Sequence, residues 1–214
     1  MSAAEIRDDD PYALLYTWQD YLRFEATAEE RHEYHPVTTQ SAGGAVLGRL
    51  VAMAGATWDH GLISNNVARE IGNLLRDRDC FVIGPDMKVR NPSGHCYYPD
   101  VVIVCGEPEF EEREDKKSPL VLLNPTVLIE VLSETTAAYD RGEKFVAYRS
   151  IESLREYILI PPDGQPVDRF LRADRSWKFE PSPRTDAAFP IESLDIEVSM
   201  AETFRGVKTD DASR

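Results

Sequence analysis

The sequence predicts an α/β (α+β) domain in which helices flank a central mixed β-sheet. Three observations carry that expectation. Within residues 57–76, Trp58, Leu62, Ile63, Val67, Ile71, Leu74 and Leu75 recur at spacings near 3.6, which marks one long amphipathic helix. Two runs rich in β-branched residues, Val101-Val102-Ile103-Val104 and Val127-Leu128-Ile129-Glu130-Val131-Leu132, read as strands buried on both faces. Toward the C-terminus, Val167-Asp168-Arg169-Phe170-Leu171 alternates and Trp177-Lys178-Phe179 answers it across Ala173-Asp174-Arg175, the pattern of an antiparallel pair. Helices and strands mixed in this way pack as layers of helix on sheet.

The elements follow in chain order. Residues 1–12 and 205–214 are polar and are expected to form loose tails. Thr17 is placed to cap a short helix over 18–22 that buries Trp18, Tyr21 and Leu22. Residues 28–34 are expected to form a second short helix, and HPVTTQSAGGAV a loop, because Pro, Thr, Ser and Gly crowd it. A strand is expected over 47–53, before the long helix. Short strands follow at 80–83 and 87–90, then a longer one from Tyr97 to Cys105. The charged stretch 106–119 reads as a solvent loop. Ser133 or Thr135 is placed to cap a helix over 136–149 that turns Phe145 and Tyr148 inward. Residues 156–160 give the next strand, and Pro161-Pro162-Asp163-Gly164 a turn. No internal repeat occurs, so residues 1–214 are expected to make a single domain with one sizeable core.

Composition narrows the setting. With 42% hydrophobic and 29% charged residues, the chain matches soluble globular proteins. No apolar run approaches about 18 residues, so no transmembrane helix is expected. The N-terminus, MSAAEIRDDDPY, lacks the apolar segment of a secretory signal. The three Cys (80, 96 and 105) form no CxxC pair. They are expected to be free thiols in a reducing cytoplasm, with Cys105 acting as a small hydrophobe. The formal net charge of -14, from 24 Lys+Arg against 38 Asp+Glu, opposes attraction to nucleic acid. A nucleic-acid function therefore needs a local basic patch. Lys88 and Arg90 share one face of their strand and, with Arg141, Lys144 and Arg149, are the candidates; a solvated edge strand explains the first two equally well.

Two acids stand where chemistry is expected. Asp100 follows Pro99 and opens one apolar strand, while Glu130 interrupts the other. Neighbouring strands bring side chains within about 5 Å of each other, so the pair can converge on one cation. Divalent Mg or Mn takes carboxylate and carbonyl oxygens, and the Val131 carbonyl is a further donor. Asp140 and Lys144 lie four apart on one helix face, where a lysine can stabilise negative charge developing on a phosphate. The residues alone leave plainer roles open: a capping Asp100, a satisfied core Glu130 and a solvated Asp140–Lys144 pair. His32 and His35 read as a surface pair, since no third metal ligand follows at a recognisable spacing, and His95 reads as a loop residue. Walker, GxGxxG and GxSxG signatures do not occur.

The segments EYHP, GRLVAMAGATWDHGLISNNVAREIGNLL, YYPDVVIVCG and VLIEVLSETTAAYDRGEKFVAYRSIESLREYILI resemble the Uma-two family of endonucleases, over roughly Trp18 to Val207. The resemblance implies the restriction-endonuclease-like fold of the PD-(D/E)XK superfamily and hydrolysis of DNA phosphodiester bonds with Mg or Mn. It implies that Asp100 is the Asp of the PD motif and Glu130 the acid of its second half, both binding metal. The lysine usual two positions after that acid is missing, because Leu132 stands there, and Lys144 of the DRGEK segment is its implied replacement. Glu33 corresponds to an N-terminal acid of the family and is implied as an extra ligand. His60 corresponds to a histidine frequent in the family and is implied as a contact to phosphate or a proton shuttle. A homodimer is implied by the superfamily's habit. Two departures stand out: the loop HPVTTQSAGGAV intervenes after the first acidic segment, and Gly48-Arg49 replaces an Asp-Gly-Glu turn. With the missing lysine and the charge of -14, they support an alternative: a non-catalytic binding or assembly protein retaining the nuclease fold.

Overall fold

The computed structural model describes residues 14–53, 55–112, 119–162 and 166–207. Strand β1 (Tyr16–Thr17) runs into helix α1 (Trp18–Glu25), and the Thr17 side chain caps that helix by accepting a bond from Asp20 N. Strands β2 (His32–Gln40) and β3 (Val46–Ala52) form a hairpin ahead of helix α2 (Trp58–Leu74). Next come β4 (Cys80–Ile83), β5 (Lys88–Arg90), β6 (Cys96–Tyr97), β7 (Val101–Cys105), β8 (Val121–Leu122) and β9 (Val127–Val131). One continuous helical segment follows, made of α3 (Ala137–Tyr139), a π-helical turn (Asp140–Lys144) and α4 (Phe145–Tyr148). The chain closes with β10 (Glu156–Ile160), β11 (Asp168–Ala173), β12 (Ser176–Phe179), β13 (Ala188–Ile191), β14 (Ile196–Ser199) and the short α5 (Met200–Thr203).

The central sheet has the order β12-β11-β10-β9-β7-β4, with β9 and β10 parallel and the other neighbours antiparallel. A second sheet runs β1-β3-β2-β6-β5-β8, and β13 pairs with β14 as a ribbon. The strands β7, β9 and β10 are apolar on both faces because both faces are covered. Val101, Ile103, Val127, Ile129, Val131, Ile158 and Ile160 pack with Ile63, Val67 and Ile71 of α2 and with the β13–β14 ribbon. Val102, Val104, Leu128, Tyr157 and Leu159 point the other way, to Ala147 and Tyr148 of α4 and to Val89, Tyr97 and Leu122 of the second sheet. The mixed α+β architecture expected from the sequence is therefore the one found, with α2 and the 137–148 segment on opposite faces of the central sheet.

Several local expectations are corrected. Within residues 28–31 only a bend at 29–30 occurs, and β2 begins at His32, so no second short helix exists there. Pairing of residues 32–36 with residues 48–52 of β3 satisfies the backbone there instead. The supposed loop shrinks to a turn closed by Ser41 N donating to Ala45 O at 2.8 Å, with Gly44 at φ 81°. The β2–β3 register shifts between Pro36 and Gln40, an irregularity of the β-bulge kind. The expected strand from Tyr97 to Cys105 is two strands in two sheets, because Pro99 cannot donate to a ladder and the chain crosses between the sheets there. Trp58 is not part of the buried stripe of α2; it is 81% exposed. Asn66 is buried there instead and donates to the carbonyls of Thr203 and Arg205, so Arg205–Val207 lie against α2 rather than in a loose tail. Residues 109–111 pair with 121–123, through Glu111 N to Val121 O and Leu123 N to Glu109 O, and are not free loop. The turn expected at 161–164 and both outer tails fall partly or wholly outside the described residues.

The cysteine expectation is also overturned. Cys80 and Cys105 are direct partners across β4 and β7, with Cα atoms 4.0 Å apart, and are joined by a disulfide. A separation of 25 residues hid this pair from any spacing rule, because only strand register brings the two together. Cys96 alone is a free thiol, and it is buried. The cysteine argument for a reducing compartment therefore lapses. Among the described residues, no helix is long and apolar enough to cross a membrane.

Candidate active site

The site forms where the two sheets meet. Val101 is opposite Ile129 in the antiparallel pair β7–β9, so one step further along the register Asp100 stands opposite Glu130. Asp100 is fixed at that point because its Oδ2 accepts the Val131 backbone N–H at 2.7 Å. His60 lies in the first turn of α2, where Thr57 accepts its backbone N–H. Its Nε2 approaches Asp100 Oδ2 at 3.1 Å. The hydrogen bond to Asp100 raises the His60 pKa; burial opposes that, and the Asp100 charge, the Val131 carbonyl and Asp140 add to it.

Lys144 reaches the same place from the opposite face of the sheet. Glu130 shares the strand face of Leu128, which looks toward the 137–148 segment. The wide π-helical turn carries both Asp140 and Lys144 inward, and both are buried. Lys144 Nζ lies 2.8 Å from Glu130 Oε1, 3.5 Å from Asp140 Oδ1 and 3.6 Å from Glu33 Oε1. It also faces the Tyr97 ring at 5.7 Å. Burying a lone ammonium would cost many kcal/mol, and these acids offset that cost. Burial alone would lower the Lys144 pKa, but Glu130 and Glu33 outweigh it and hold the group well above its ordinary value. For Glu130 burial wins: with help from Asp100 and Asp140, and against the pull of Lys144, its carboxyl is pushed up to about 8. Of this pair, Lys144 keeps its proton, while Glu130 is the group that titrates near neutrality. Tyr148 donates to the same Glu130 oxygen at 3.2 Å.

The donor set suits a hard divalent cation. Among the described residues the protein's hydrogen bonds and ion pairs to these acids use Asp100 Oδ2 and Glu130 Oε1, which leaves Asp100 Oδ1 and Glu130 Oε2 for a ligand. Two carboxylates, the Val131 carbonyl and water form the kind of oxygen shell that Mg or Mn accepts. No ready-made group of three or more His, Cys, Asp or Glu ligands exists among the described residues.

Residues 18–201 match the family described as "Putative restriction endonuclease". The chain belongs to the Uma-two family. Its similar relatives include two uncharacterized proteins of Synechocystis sp. One, sll1609, is 30% identical over 165 residues, which cover 76% of this chain and 85% of the relative. The other, slr1290, is 27% identical over 194 residues, covering 88% and 91%. Among solved structures, the crystal structure of a "putative nuclease belonging to DUF820" from Anabaena variabilis superposes with a TM-score of 0.63 at 17% identity, over 88% of this chain and 97% of that one. That likeness speaks to the fold, which is the restriction-endonuclease-like arrangement expected from the sequence.

In this Uma-two protein the residues singled out from the sequence fall into two groups. Asp100, Glu130, His60, Lys144 and Glu33 are brought together. Lys88, Arg90 and Arg141 are not brought to them. Lys88 is buried, with its Nζ 4.6 Å from the Tyr98 ring centre, and burial lowers its pKa. Arg90 stacks over Trp18 at 4.0 Å and is paired with Glu111. Arg141 is paired with Asp168 at 2.7 Å. Of the basic patch that the sequence required, Lys88, Arg90 and Arg141 are thus spent on packing and ion pairs, while Arg149 is exposed. Two members of the site were not singled out. Tyr148 had been read only as an inward core residue. His35, read as a surface histidine, holds Glu33 through Nε2 at 3.0 Å. The Glu33-x-His35 spacing would have placed both on one strand face, had residues 28–34 not been read as helix.

Proposed function

We propose that this protein cleaves phosphodiester bonds in DNA at a site where Asp100 and Glu130 hold Mg or Mn. The observation that carries the reading is the convergence of these two acids from adjacent strands, flanked by His60 on one and Lys144 on the other. A cation held there would supply Lewis-acid neutralisation of phosphate charge and an acidified water. Asp100 is kept in place by the Val131 N–H, so its free oxygen has a fixed direction. Tyr148 orients Glu130 in the same way. His60 carries a proton on Nε2, shared with Asp100 and available to a phosphate or leaving-group oxygen. Lys144 keeps a permanent positive charge in a water-poor setting, where it stabilises charge more strongly than it would in bulk water.

Asp100→Asn tests this reading, because the amide oxygen still accepts the Val131 N–H. The wild type should cut plasmid or oligonucleotide DNA in millimolar Mg or Mn, and the variant should be folded and inactive. Retained cleavage in the variant would overturn the assignment.

One observation favours a second reading, a non-catalytic binding or assembly role. The three donors of the Lys144 ammonium already face three carboxylates, and Lys88, Arg90 and Arg141 are engaged in packing or ion pairs, so these three do not relieve the charge of -14. Calorimetric titration separates the two: no heat from Mg or Mn at millimolar concentration supports the second.

A further inference from the structure

We infer that His35 and Glu33 act together as positioning residues for Lys144, a role that rests on the nuclease reading above. The resemblance implies Glu33 as an extra metal ligand, but its two oxygens are both engaged within the protein. Oε1 is 3.6 Å from Lys144 Nζ and Oε2 is 3.0 Å from His35 Nε2. Burial would raise the Glu33 pKa, yet Lys144 and the His35 ring outweigh it and hold the carboxyl below its ordinary value. The carboxylate is therefore a bridge, with an ammonium at one end and an imidazole at the other.

What makes the bridge rigid is the setting of His35. Its ring stacks on Tyr139 at 6.1 Å with 19° between planes, and meets Tyr97 and His95 edge-on at 5.5 and 5.8 Å. A ring held on three sides has few orientations, so Nε2 stays directed at Glu33. Tyr97, in turn, faces the Lys144 ammonium. The other two acids at Lys144 come from β9 and from its own helical turn. Among the described residues Glu33 is the one acid that links the ammonium to the second sheet, beside the Tyr97 ring of β6. Without that third anchor, Nζ is free to shift between Glu130 and Asp140. A displacement on the order of 1 Å at a catalytic group costs about 100-fold in rate.

The test uses Glu33→Gln, His35→Ala and His35→Gln in the full chain. Glu33→Gln and His35→Ala should lower kcat by about 10- to 100-fold. The KM for DNA and the calorimetric affinity for Mg should stay within about threefold, because positioning acts on the transition state rather than on binding. His35→Gln, whose amide nitrogen can donate to Glu33, should recover most of the loss. A second readout needs no cleavage. The rate at which acetic anhydride modifies Lys144, mapped by mass spectrometry, should rise at least fivefold in Glu33→Gln and His35→Ala. Unchanged kcat and unchanged acylation in both variants would overturn the inference. Mg binding weakened more than tenfold in Glu33→Gln would overturn it in favour of a metal ligand. If the wild type proves inactive, the nuclease reading fails while the acylation rates still decide whether Glu33 and His35 hold Lys144.

Discussion

Replacing Glu130 with Gln keeps the shape of the side chain and its acceptor for Lys144 and Tyr148, but removes one titrating proton from the centre of the site. Burial, with Asp100 and Asp140, lifts this carboxyl from 4.5 to about 8 in spite of Lys144. At about 1.4 kcal/mol per pH unit, that rise caps the cost of ionising Glu130 in the folded state at about 5 kcal/mol. The sign follows from proton counting. Between about pH 4.5 and 8 the folded state holds this proton and the unfolded state does not. The stability so conferred is complete below the unfolded value and is lost as pH rises through the folded one. Urea unfolding of wild type and Glu130→Gln, in EDTA at pH 5, 6.5 and 8.5, isolates the contribution of this group. The stability of wild type relative to the variant should fall by about 3–5 kcal/mol from the lowest to the highest pH. A difference that stays constant within about 1 kcal/mol across the series would refute the reasoning, since a Glu130 that titrates normally contributes no such slope.

Other perturbations follow from the same geometry. Asp100→Ala strands the Val131 N–H and should cost about 1–3 kcal/mol by urea unfolding, whereas Asp100→Asn, which keeps an acceptor, should cost less than half of that. Gly48→Ala would place its Cβ within 2.8 Å of three ring carbons of the buried Tyr34, and should destabilise by about 1–3 kcal/mol in thermal or urea unfolding. Reduction of the Cys80–Cys105 bond opens a constraint spanning 25 residues and should lower unfolding free energy by about 3 kcal/mol. Without reductant, iodoacetamide should label no cysteine in the native protein and one, Cys96, after unfolding; mass spectrometry reads both counts.

How much was legible in advance varied with the range of the interaction involved. The cap at Thr17 and the buried stripe of Ile63, Val67 and Ile71 were readable because each depends on residues within a turn or two. The acids Asp100 and Glu130 were readable for a related reason: each breaks the local apolar pattern of its own strand. The β2 strand was misread because Pro36 and its small polar neighbours argue locally for a loop, and only pairing with β3 argues otherwise. Trp58 fitted the helical period and is exposed nonetheless, because periodicity does not say how far toward its N-terminus a helix is covered.

The sequence by itself determined the long helix, the two doubly buried strands and the identity of the acids within them, because periodicity, caps and pattern breaks are properties of neighbouring residues. Only the tertiary structure decided that the Tyr98-Pro99-Asp100 step crosses between sheets, that Cys80 meets Cys105, and that Arg90 and Arg141 of the expected basic patch are taken up in ion pairs. It alone decided the partners of Lys144, which come from β2, β9 and the π-helical turn, more than 100 residues apart at the extremes. Those contacts depend on strand register and sheet closure, where one residue of slip turns a side chain to the opposite face, and no local pattern encodes that choice.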